Sequence, residues 1–501
     1  MKNRKIGILL SYTNTFLNMV CGLFLSSFLL RKLGDTDYGI YQTICSFVNY
    51  LVLLEFGTGT VITRNIARCR GQADNDAIQK NVSTIWTVNL LLSAVILLVS
   101  VFFYMNISNI YAKTLTPDQM NYARRIFVFA TAFLVISFIS NLANGCIMGF
   151  EHYQVQPIVS IVKIIMRTIL IVACVTLFTH AIVIAIVDMI VSMGVLLFDL
   201  WYCITKLHIR LTTKYFDMSI FRKSLPLSLA IFIQTIVNQA NTNVDKFVLG
   251  IRLSPESVAI YSVGLYIYSI FSSMTTIPIS MFGPQIIKAV GRGIEGRELE
   301  DMLVKPSRLI VLIGGTVLFG FAAVGKQFIG IVYGTEYGIA WLVALIIMCP
   351  MLINMSNGVL INVLDAKDLR MSRSWVLVIT TVGNIILTVL WIDRWGMIGA
   401  CIATAICTIL GQVTMMNIYY AKRLHIDVLY MYRKTFFGIL IPQLLAALGA
   451  YLIARVIDNL YLAFIIGGII YVIIFVLLSL LYKQNRMEVG SLLKSIKRNR
   501  G

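Results

Sequence analysis

The segment Asn141-Leu-Ala-Asn144-Gly145 recurs 213 residues later as Asn354-Met-Ser-Asn357-Gly358, and each copy lies late in a long apolar stretch. A second repeat, about 220 residues apart, aligns Leu33-Gly-Asp-Thr-Asp-Tyr-Gly-Ile-Tyr41 with Leu253-Ser-Pro-Glu-Ser-Val-Ala-Ile-Tyr261. Both repeats occur in the same order, which predicts two copies of one helical unit. In transporters built from such repeats, the substrate site lies at the interface between the halves.

Composition predicts an all-α polytopic membrane protein. Of the 501 residues 58% are hydrophobic and only 13% are charged, and the mean hydropathy is +0.84, far above the balance of a soluble domain. A bilayer core of about 30 Å needs roughly 20 apolar residues of helix, and fourteen stretches meet this length. The predicted spans are 6–30, 39–62, 81–104, 124–150, 157–177, 181–205, 224–250, 258–282, 307–332, 340–365, 374–392, 397–420, 435–457 and 460–482.

The distribution of positive charge predicts the topology. An even number of spans places both termini on one side, and most of the 42 Lys and Arg residues fall in the termini and loops of that side, which the positive-inside rule assigns to the cytoplasm. The net charge of +19 is therefore expected to reflect topology and attraction to anionic membrane lipids, without a nucleic-acid partner.

The loops exclude several classes of function. None is long enough for a soluble catalytic domain, and the chain has no Gly-x-x-x-x-Gly-Lys-Ser/Thr segment for ATP hydrolysis. The cysteines and the four histidines form no metal-ligand pattern. We therefore expect a secondary transporter without a cofactor, driven by a gradient or by downstream consumption, and H⁺ or Na⁺ coupling stays open.

Among the ionisable residues inside predicted spans, where charge is costly and usually functional, four stand out: Glu55, Lys163, Arg167 and Asp188. Lys163 and Arg167 are four apart on one helix face, which favours an anionic substrate group beside them. The alternative is a structural ion pair between Arg167 and Asp188. Glu55 either pairs with Lys163 or faces the cavity as a coupling residue, a role for which Asp188 is the other candidate.

The 213-residue spacing pairs Lys163 with Val376 and Arg167 with Thr380, so these charges are confined to the first half. That asymmetry favours a ligand role. Polar residues also follow one face of helix 7 and of helix 1, and they predict either a hydrated wall or interhelical hydrogen bonds. The candidates on these faces are Asn14, Asn18, Asn238, Asn241 and Asp245.

Several motifs together resemble the polysaccharide flippases of the multidrug/oligosaccharidyl-lipid/polysaccharide superfamily. They begin with Leu33-Gly-Asp-Thr-Asp-Tyr38-Gly39, Glu55-Phe-Gly57-Thr-Gly59 and Arg64-Asn-Ile-Ala67, and continue with Tyr333-Gly-Thr-Glu-Tyr337 and Gly396-Met-Ile-Gly399-Ala400. These motifs occur in order along nearly the whole chain. One departure is that helix 1 has no cation, although some lipid-carrier flippases of the superfamily have arginines there.

The resemblance implies two six-helix lobes around a central cavity, helices 1–6 in residues 1–210 and helices 7–12 in residues 211–425. Residues 426–501 would hold a further helix pair and a basic cytoplasmic tail. It also implies alternating access and a lipid-linked oligosaccharide substrate, with a polyprenyl pyrophosphate carrier. Lys163 and Arg167 would then contact the phosphates, and Arg64 would help to recruit the substrate.

The implied setting is the cytoplasmic membrane and the assembly of a cell-surface polysaccharide such as an O-antigen. A polysaccharide polymerase or glycosyltransferases would be partners. The alternative within the superfamily is a cation-coupled multidrug extrusion transporter, whose cleft should be net acidic. A membrane polysaccharide polymerase or ligase is a further alternative, but it would need a large outer loop with catalytic Arg or His residues.

Overall fold

The computed structural model describes residues 2–71, 74–112, 114–367 and 369–482, and within these ranges the chain is helical and has no strand. Short 3₁₀ segments at Val52–Glu55 and Thr335–Tyr337 and a π-helical segment at Thr408–Met415 interrupt the α-helices. The helices are α1 Lys2–Leu51, α2 Thr58–Gly71, α3 Asn75–Ile110, α4 Pro117–Gly149, α5 Val155–Leu177, α6 Ile182–Thr205, α7 Met218–Arg252, α8 Pro255–Gly291, α9 Gly296–Val332, α10 Ala340–Ser356, α11 Gly358–Ala366, α12 Arg370–Cys407, α13 Met416–Arg423, α14 Val428–Phe436, α15 Leu440–Val456 and α16 Leu460–Ser479.

Among the described residues, ten helical segments are long and apolar enough to cross a membrane, or eleven if α14 and α15, which meet at a bend of 43°, form one span. Two of the ten, Thr13–Arg70 and Arg373–Arg423, contain 58 and 51 residues, well over twice the roughly 20 residues that one crossing needs. If each of these counts as two spans, the described residues contain twelve spans, or thirteen with the bent pair. The predicted all-α membrane fold is confirmed.

Glycines mark the points where the two long segments change direction. Gly34 interrupts α1 with a φ of 78°, and Gly396 interrupts α12 with a φ of 56°. Both values lie in the left-handed region, which is costly for residues that carry a Cβ. These positions agree with the predicted boundaries between spans 1 and 2 and between spans 11 and 12.

By packing, the chain divides into two compact units at Ala259–Ile260. The first unit therefore includes α7, whereas the lobe boundary at residue 210 would place this helix in the second lobe. Packing and repeat ancestry are different criteria, so the lobes at 1–210 and 211–425, with the helix pair after residue 426, stay a prediction.

Each unit has its own buried core. In the first unit, residues from α2 pack against α4, with Ile62, Ile66, Leu142 and Ile147 fully buried. In a bilayer, lipid is as apolar as leucine, so helices associate mainly through close packing and small residues. The second unit shows this clearly, because alanines line the contact among α9, α15 and α16. They are Ala323, Ala446, Ala450, Ala454 and Ala463.

Candidate functional site

The predicted second span is broken at its centre, and the break determines where Glu55 lies. After the 3₁₀ segment, Phe56 and Gly57 adopt left-handed φ values of 51° and 64°. A Cβ on Gly57 would lie 2.4 Å from the side chain of Ile231, so α7 packs directly against the break. Two consecutive left-handed residues end one helical segment and start α2 in a new direction.

The repeated Asn-x-x-Asn-Gly segment brings α4 against this break. A Cβ on Gly145 would lie 2.4 Å from the backbone oxygen of Gly59, so α2 and α4 approach at backbone distance. The Thr63 hydroxyl donates to the Gly145 carbonyl at 2.9 Å and fixes the contact. One turn earlier on α4, the Asn141 amide donates a hydrogen bond to the Glu55 carboxylate.

Beside this contact lies a cavity of about 380 Å³ within the first unit. It is lined by the end of α1, the 3₁₀ segment, α4, α5 and α6, with one residue from α3. The α4 residues Ser137, Asn141 and Asn144 are four and three apart, so they form one stripe on one helix face. The polar or charged residues of the lining are Asn49, Glu55, Ser137, Ser140, Asn141, Asn144, Gln156, Ser160, Lys163, Ser192 and Asp199.

Lys163 is the basic residue of this lining. Its ammonium lies 5.6 Å from the centre of the Phe133 ring, which gives a cation–π contact. Within the part of the chain that the structure describes, Lys163 forms no ion pair. The alternative of a Glu55–Lys163 pair is therefore not realised here, since Glu55 accepts its hydrogen bond from Asn141.

Asp199 is the residue of the cavity that sequence reasoning missed. It is fully buried, and one of its oxygens accepts a hydrogen bond from Ser140 at 2.6 Å. Its other oxygen has no hydrogen-bond partner among the described residues. Two sequence signals could have revealed Asp199. One is the polar stripe on α4, and the other is the spacing of Ser192 and Asp199, which are seven residues apart on α6.

Arg167 does not line the cavity; it pairs with Asp188. Two guanidinium nitrogens donate to the two carboxylate oxygens at 2.5 and 3.0 Å, which is the bidentate geometry typical of arginine. The Tyr41 hydroxyl also donates to Asp188, at 3.3 Å. Of the two readings that the sequence left open, the structure therefore realises the ion pair. Lys163 and Arg167 are one turn apart, but only Lys163 reaches the cavity.

The candidates on α1 and α2 lie away from this lining. The Asn14 side chain is half-buried, and its amide oxygen has no hydrogen-bond partner among the described residues. Asn18 and Arg64 are exposed. Their proposed contributions to substrate binding or recruitment stay predictions.

On α7, Asp245 is buried with a relative exposure of 6%. Its neighbour Lys246 donates a hydrogen bond to the Gln42 side chain on α1 at 3.4 Å, so this end of the polar stripe joins two helices of the first unit. The predicted wall residues Asn238 and Asn241 lie on α7, but their side chains fall outside the described residues.

The second unit contains a closed counterpart of the cavity, which also has a basic residue, Arg373, in its lining. The 213-residue spacing pairs Asn141 with Asn354 and Asp199 with Gln412. The Asn354 amide donates to the Gln412 amide oxygen at 2.8 Å, and the remaining volume is about 10 Å³. The same framework is therefore filled with paired amides in the second unit.

Further along the second copy of the repeated segment, side-chain amides also form hydrogen bonds. Asn357, the equivalent of Asn144, donates to Asn417 at 3.0 Å and to the Tyr432 hydroxyl at 2.7 Å. By contrast, the amide oxygen of Asn144 has no partner among the described residues. Of the two copies of the Asn-x-x-Asn-Gly site, as far as the structure describes them, the copy in the first unit is therefore the open one with an unsatisfied amide oxygen.

A family model described as "Polysaccharide biosynthesis protein" matches residues 5–284, more than half of the chain. The chain belongs to this family. The matched region contains the whole cavity of the first unit. It confirms the resemblance to polysaccharide flippases that the motifs indicated.

A curated relative of this polysaccharide biosynthesis protein is the probable low-salt glycan biosynthesis flippase Agl15 of Haloferax volcanii. It is 26% identical over 165 residues, which cover 32% of this chain. The match spans about a third, 34%, of the relative's own length.

Two solved structures share the fold. The lipid II flippase MurJ in an inward closed conformation superposes with a TM-score of 0.75 at 16% identity, over 96% of this chain and 100% of that one. An inward-facing multidrug resistance transporter of the MATE family gives a TM-score of 0.60 at 15% identity, over 82% and 96%. These two likenesses show the shared fold, and the prediction of a transporter and not an enzyme is supported by the family together with the flippase relative.

Proposed function

We propose that this protein flips a lipid-linked oligosaccharide across the cytoplasmic membrane, and that the cavity of the first unit holds the polar headgroup. The observation that carries the proposal is a polar, partly unsatisfied cavity inside an otherwise apolar helical unit. A saccharide headgroup is costly to move through hydrocarbon because its hydroxyls would lose their hydrogen bonds to water. A cavity lined with amides, hydroxyls and charges lowers that cost, while the lipid tail remains in the bilayer.

Lys163 is our candidate for the phosphate-bearing end of a polyprenyl pyrophosphate carrier. Its ammonium forms no ion pair within the described structure and contacts the face of the Phe133 ring. An anion can therefore bind it without displacing a carboxylate. The Arg167 guanidinium already donates two hydrogen bonds to the Asp188 carboxylate. Its contribution is to hold α5 against α6.

We place both termini in the cytoplasm, on the basis of the Lys and Arg distribution. In this orientation the basic loops, together with Arg64 on α2, face the anionic lipid surface, where the substrate is loaded. Alternating access would then expose the headgroup cavity to either side in turn. The polysaccharide polymerase or glycosyltransferases that use or supply the lipid-linked glycan are the partners implied by this cargo.

Coupling to H⁺ or Na⁺ is a separate part of the proposal. Glu55 is the better candidate of the two acids considered, because it lies at the break of the second span and lines the cavity. Asp188 is already engaged by Arg167 and Tyr41. We expect Glu55→Gln to abolish gradient-driven flipping in proteoliposomes while substrate binding persists. Unchanged gradient dependence would remove Glu55 from the coupling step.

Multidrug extrusion is the second candidate, and one observation favours it. The cavity lining contains two carboxylates, Glu55 and Asp199, against the single cation Lys163, and such a lining could accept an organic cation. The two candidates differ in ligand charge. Tight binding of tetraphenylphosphonium that depends on Asp199, without capture of any lipid-linked saccharide, would establish the second candidate in place of the first.

The test of the proposed cargo is mass spectrometry of the lipids that co-purify with the protein in mild detergent. We expect wild type to retain polyprenyl pyrophosphate saccharides and Lys163→Met to lose at least about nine-tenths of them, because a charge-assisted contact is typically worth about 1.5–3 kcal/mol. Lys326→Met is the matched control, since it removes an exposed lysine of the second unit. Equal recovery from wild type and Lys163→Met would contradict the assignment of Lys163.

A further inference from the structure

The cavity contains a set of buried polar atoms that no partner in the described structure satisfies. They are Ser137 Oγ and Asn144 Oδ1 on α4, and Ser192 Oγ and Asp199 Oδ1 on α6. Ser192 and Asp199 have relative exposures of 1% and 0%. Buried polar groups in folded proteins are hydrogen-bonded with few exceptions, so four such atoms around one cavity indicate a ligand that supplies hydrogen-bond donors.

The spacing of these atoms limits the shape of the ligand. Within each helix the two residues are seven positions apart, which is two turns and about 10 Å along the axis. The Ser140–Asp199 hydrogen bond places α4 and α6 side by side at this level. A single small ion cannot contact atoms spread over that distance. An extended molecule with several hydroxyl groups can.

Charge is also separated along the cavity. Lys163 lies over Phe133, and Asp199 is bonded to Ser140. Phe133 and Ser140 are seven residues apart on α4, so these two contacts are made at points about 10 Å apart along the axis of that helix. If Lys163 contacts the phosphate, the saccharide extends toward Asp199.

We infer that Asp199 selects the charge of the saccharide, so that the sugar near the phosphate is a neutral or amino sugar and an acidic sugar is rejected. This inference rests on the proposed function. Hydroxyl and ammonium groups can donate to the free oxygens of Asp199 and Asn144. A uronate at the same place would put a second carboxylate beside Asp199, and like charges brought together at a binding site cost several kcal/mol.

The second unit supports the assignment, because the equivalent of Asp199 there is Gln412, which is already paired with Asn354. An acid was therefore not needed to build this framework. The substitution Asp199→Gln, which copies the second unit, is expected to keep the fold. Asp199→Asn removes the charge with the smallest change in shape.

The experiment is competitive capture by the full-length protein in nanodiscs. The two probes are the same isoprenoid pyrophosphate carrying either a neutral hexose or a hexuronic acid, quantified by mass spectrometry. We expect wild type to prefer the neutral probe by about tenfold or more, given the repulsion between like charges. Asp199→Asn and Asp199→Gln should reduce this preference to near unity. Ser93→Ala, which removes a buried hydroxyl bonded within its own helix, should leave it unchanged.

The outcomes separate the two proposals. Equal capture of both probes by wild type would overturn the role of Asp199 and leave the proposed flipping intact, with water as the partner of the unsatisfied atoms. Preference that survives in both folded Asp199 variants would overturn it as well. Capture of neither probe by folded wild type would refute the proposed cargo, and the inference about Asp199 with it.

Discussion

The Arg167–Asp188 pair gives the sharpest test of whether a charge in this region acts on the fold or on the cargo. Asp188→Asn leaves the guanidinium without its carboxylate and weakens the acceptor of the Tyr41 hydroxyl. Removal of one partner from a buried ion pair costs about 3–5 kcal/mol. The Arg167 side chain is 34% exposed and the Asp188 side chain 11%, so we expect about 3 kcal/mol, the lower end of this range.

The double variant Arg167→Met with Asp188→Asn should be more stable than Asp188→Asn alone, because it removes the unpaired charge together with its lost partner. A double-mutant cycle isolates this coupling. The measurement is thermal unfolding in detergent for stability, together with flipping of a fluorescent lipid-linked saccharide per folded molecule in proteoliposomes. We expect the double variant to flip at near the wild-type rate, whereas Lys163→Met does not.

One result would contradict a purely structural role of Arg167. If the double variant folds normally but has lost transport as completely as Lys163→Met, then Arg167 contacts the cargo itself. The charge reversal Arg167→Asp with Asp188→Arg provides the same distinction. Restored folding and transport would support a structural pair, and restored folding alone would support the contact with cargo.

Two further predictions concern packing and pH. Gly145→Ala should lower the melting temperature more than Gly358→Ala, because the added Cβ meets a backbone oxygen at 2.4 Å in the first case and the movable end of an isoleucine side chain at 2.2 Å in the second. Outside the membrane-spanning segments, a hydrogen bond from Lys367 lowers the pKa of Glu295, and the lysine charge adds to this effect. The ionised Glu295 carboxylate therefore stabilises the folded state above the ordinary pKa of a carboxyl group, and this stabilisation is lost as the pH falls through the lowered pKa. The melting curves of Glu295→Gln and wild type should therefore converge in acid.

The helical architecture could be predicted from the sequence because the bilayer dictates the length and polarity of each crossing. The repeated Asn-x-x-Asn-Gly segment also predicted two related halves, and its glycine proves to mark the close approach of α2 and α4 in the first unit. Helix breaks at Gly34 and Gly396 fall where the predicted spans end. These features depend on local sequence and on hydropathy, which a single chain displays directly.

The site was predicted only in part, because cavities depend on which helices become neighbours. The positions of Arg167 and Asp188 along their helices correctly predicted that the two residues lie close together. They did not predict that this pairing leaves Lys163 as the cation that lines the cavity. Asp199 was missed for the same reason, since its partner Ser140 lies on another helix. The comparison of the repeats predicted that the charged site residues lie in the first half of the chain. The structure adds one more such position, because Asp199 of the first unit corresponds to Gln412 of the second.

We propose that flipping depends on the polar cavity of the first unit, whose counterpart in the second unit is filled by paired amides. The direct test is the flipping rate of the variant Lys163→Val with Asp199→Gln, which has at these two positions the residues Val376 and Gln412 of the second unit. The measurement uses a fluorescent lipid-linked saccharide in proteoliposomes, normalised to folded protein. We predict loss of flipping with normal folding; a wild-type rate in this variant would contradict the claim.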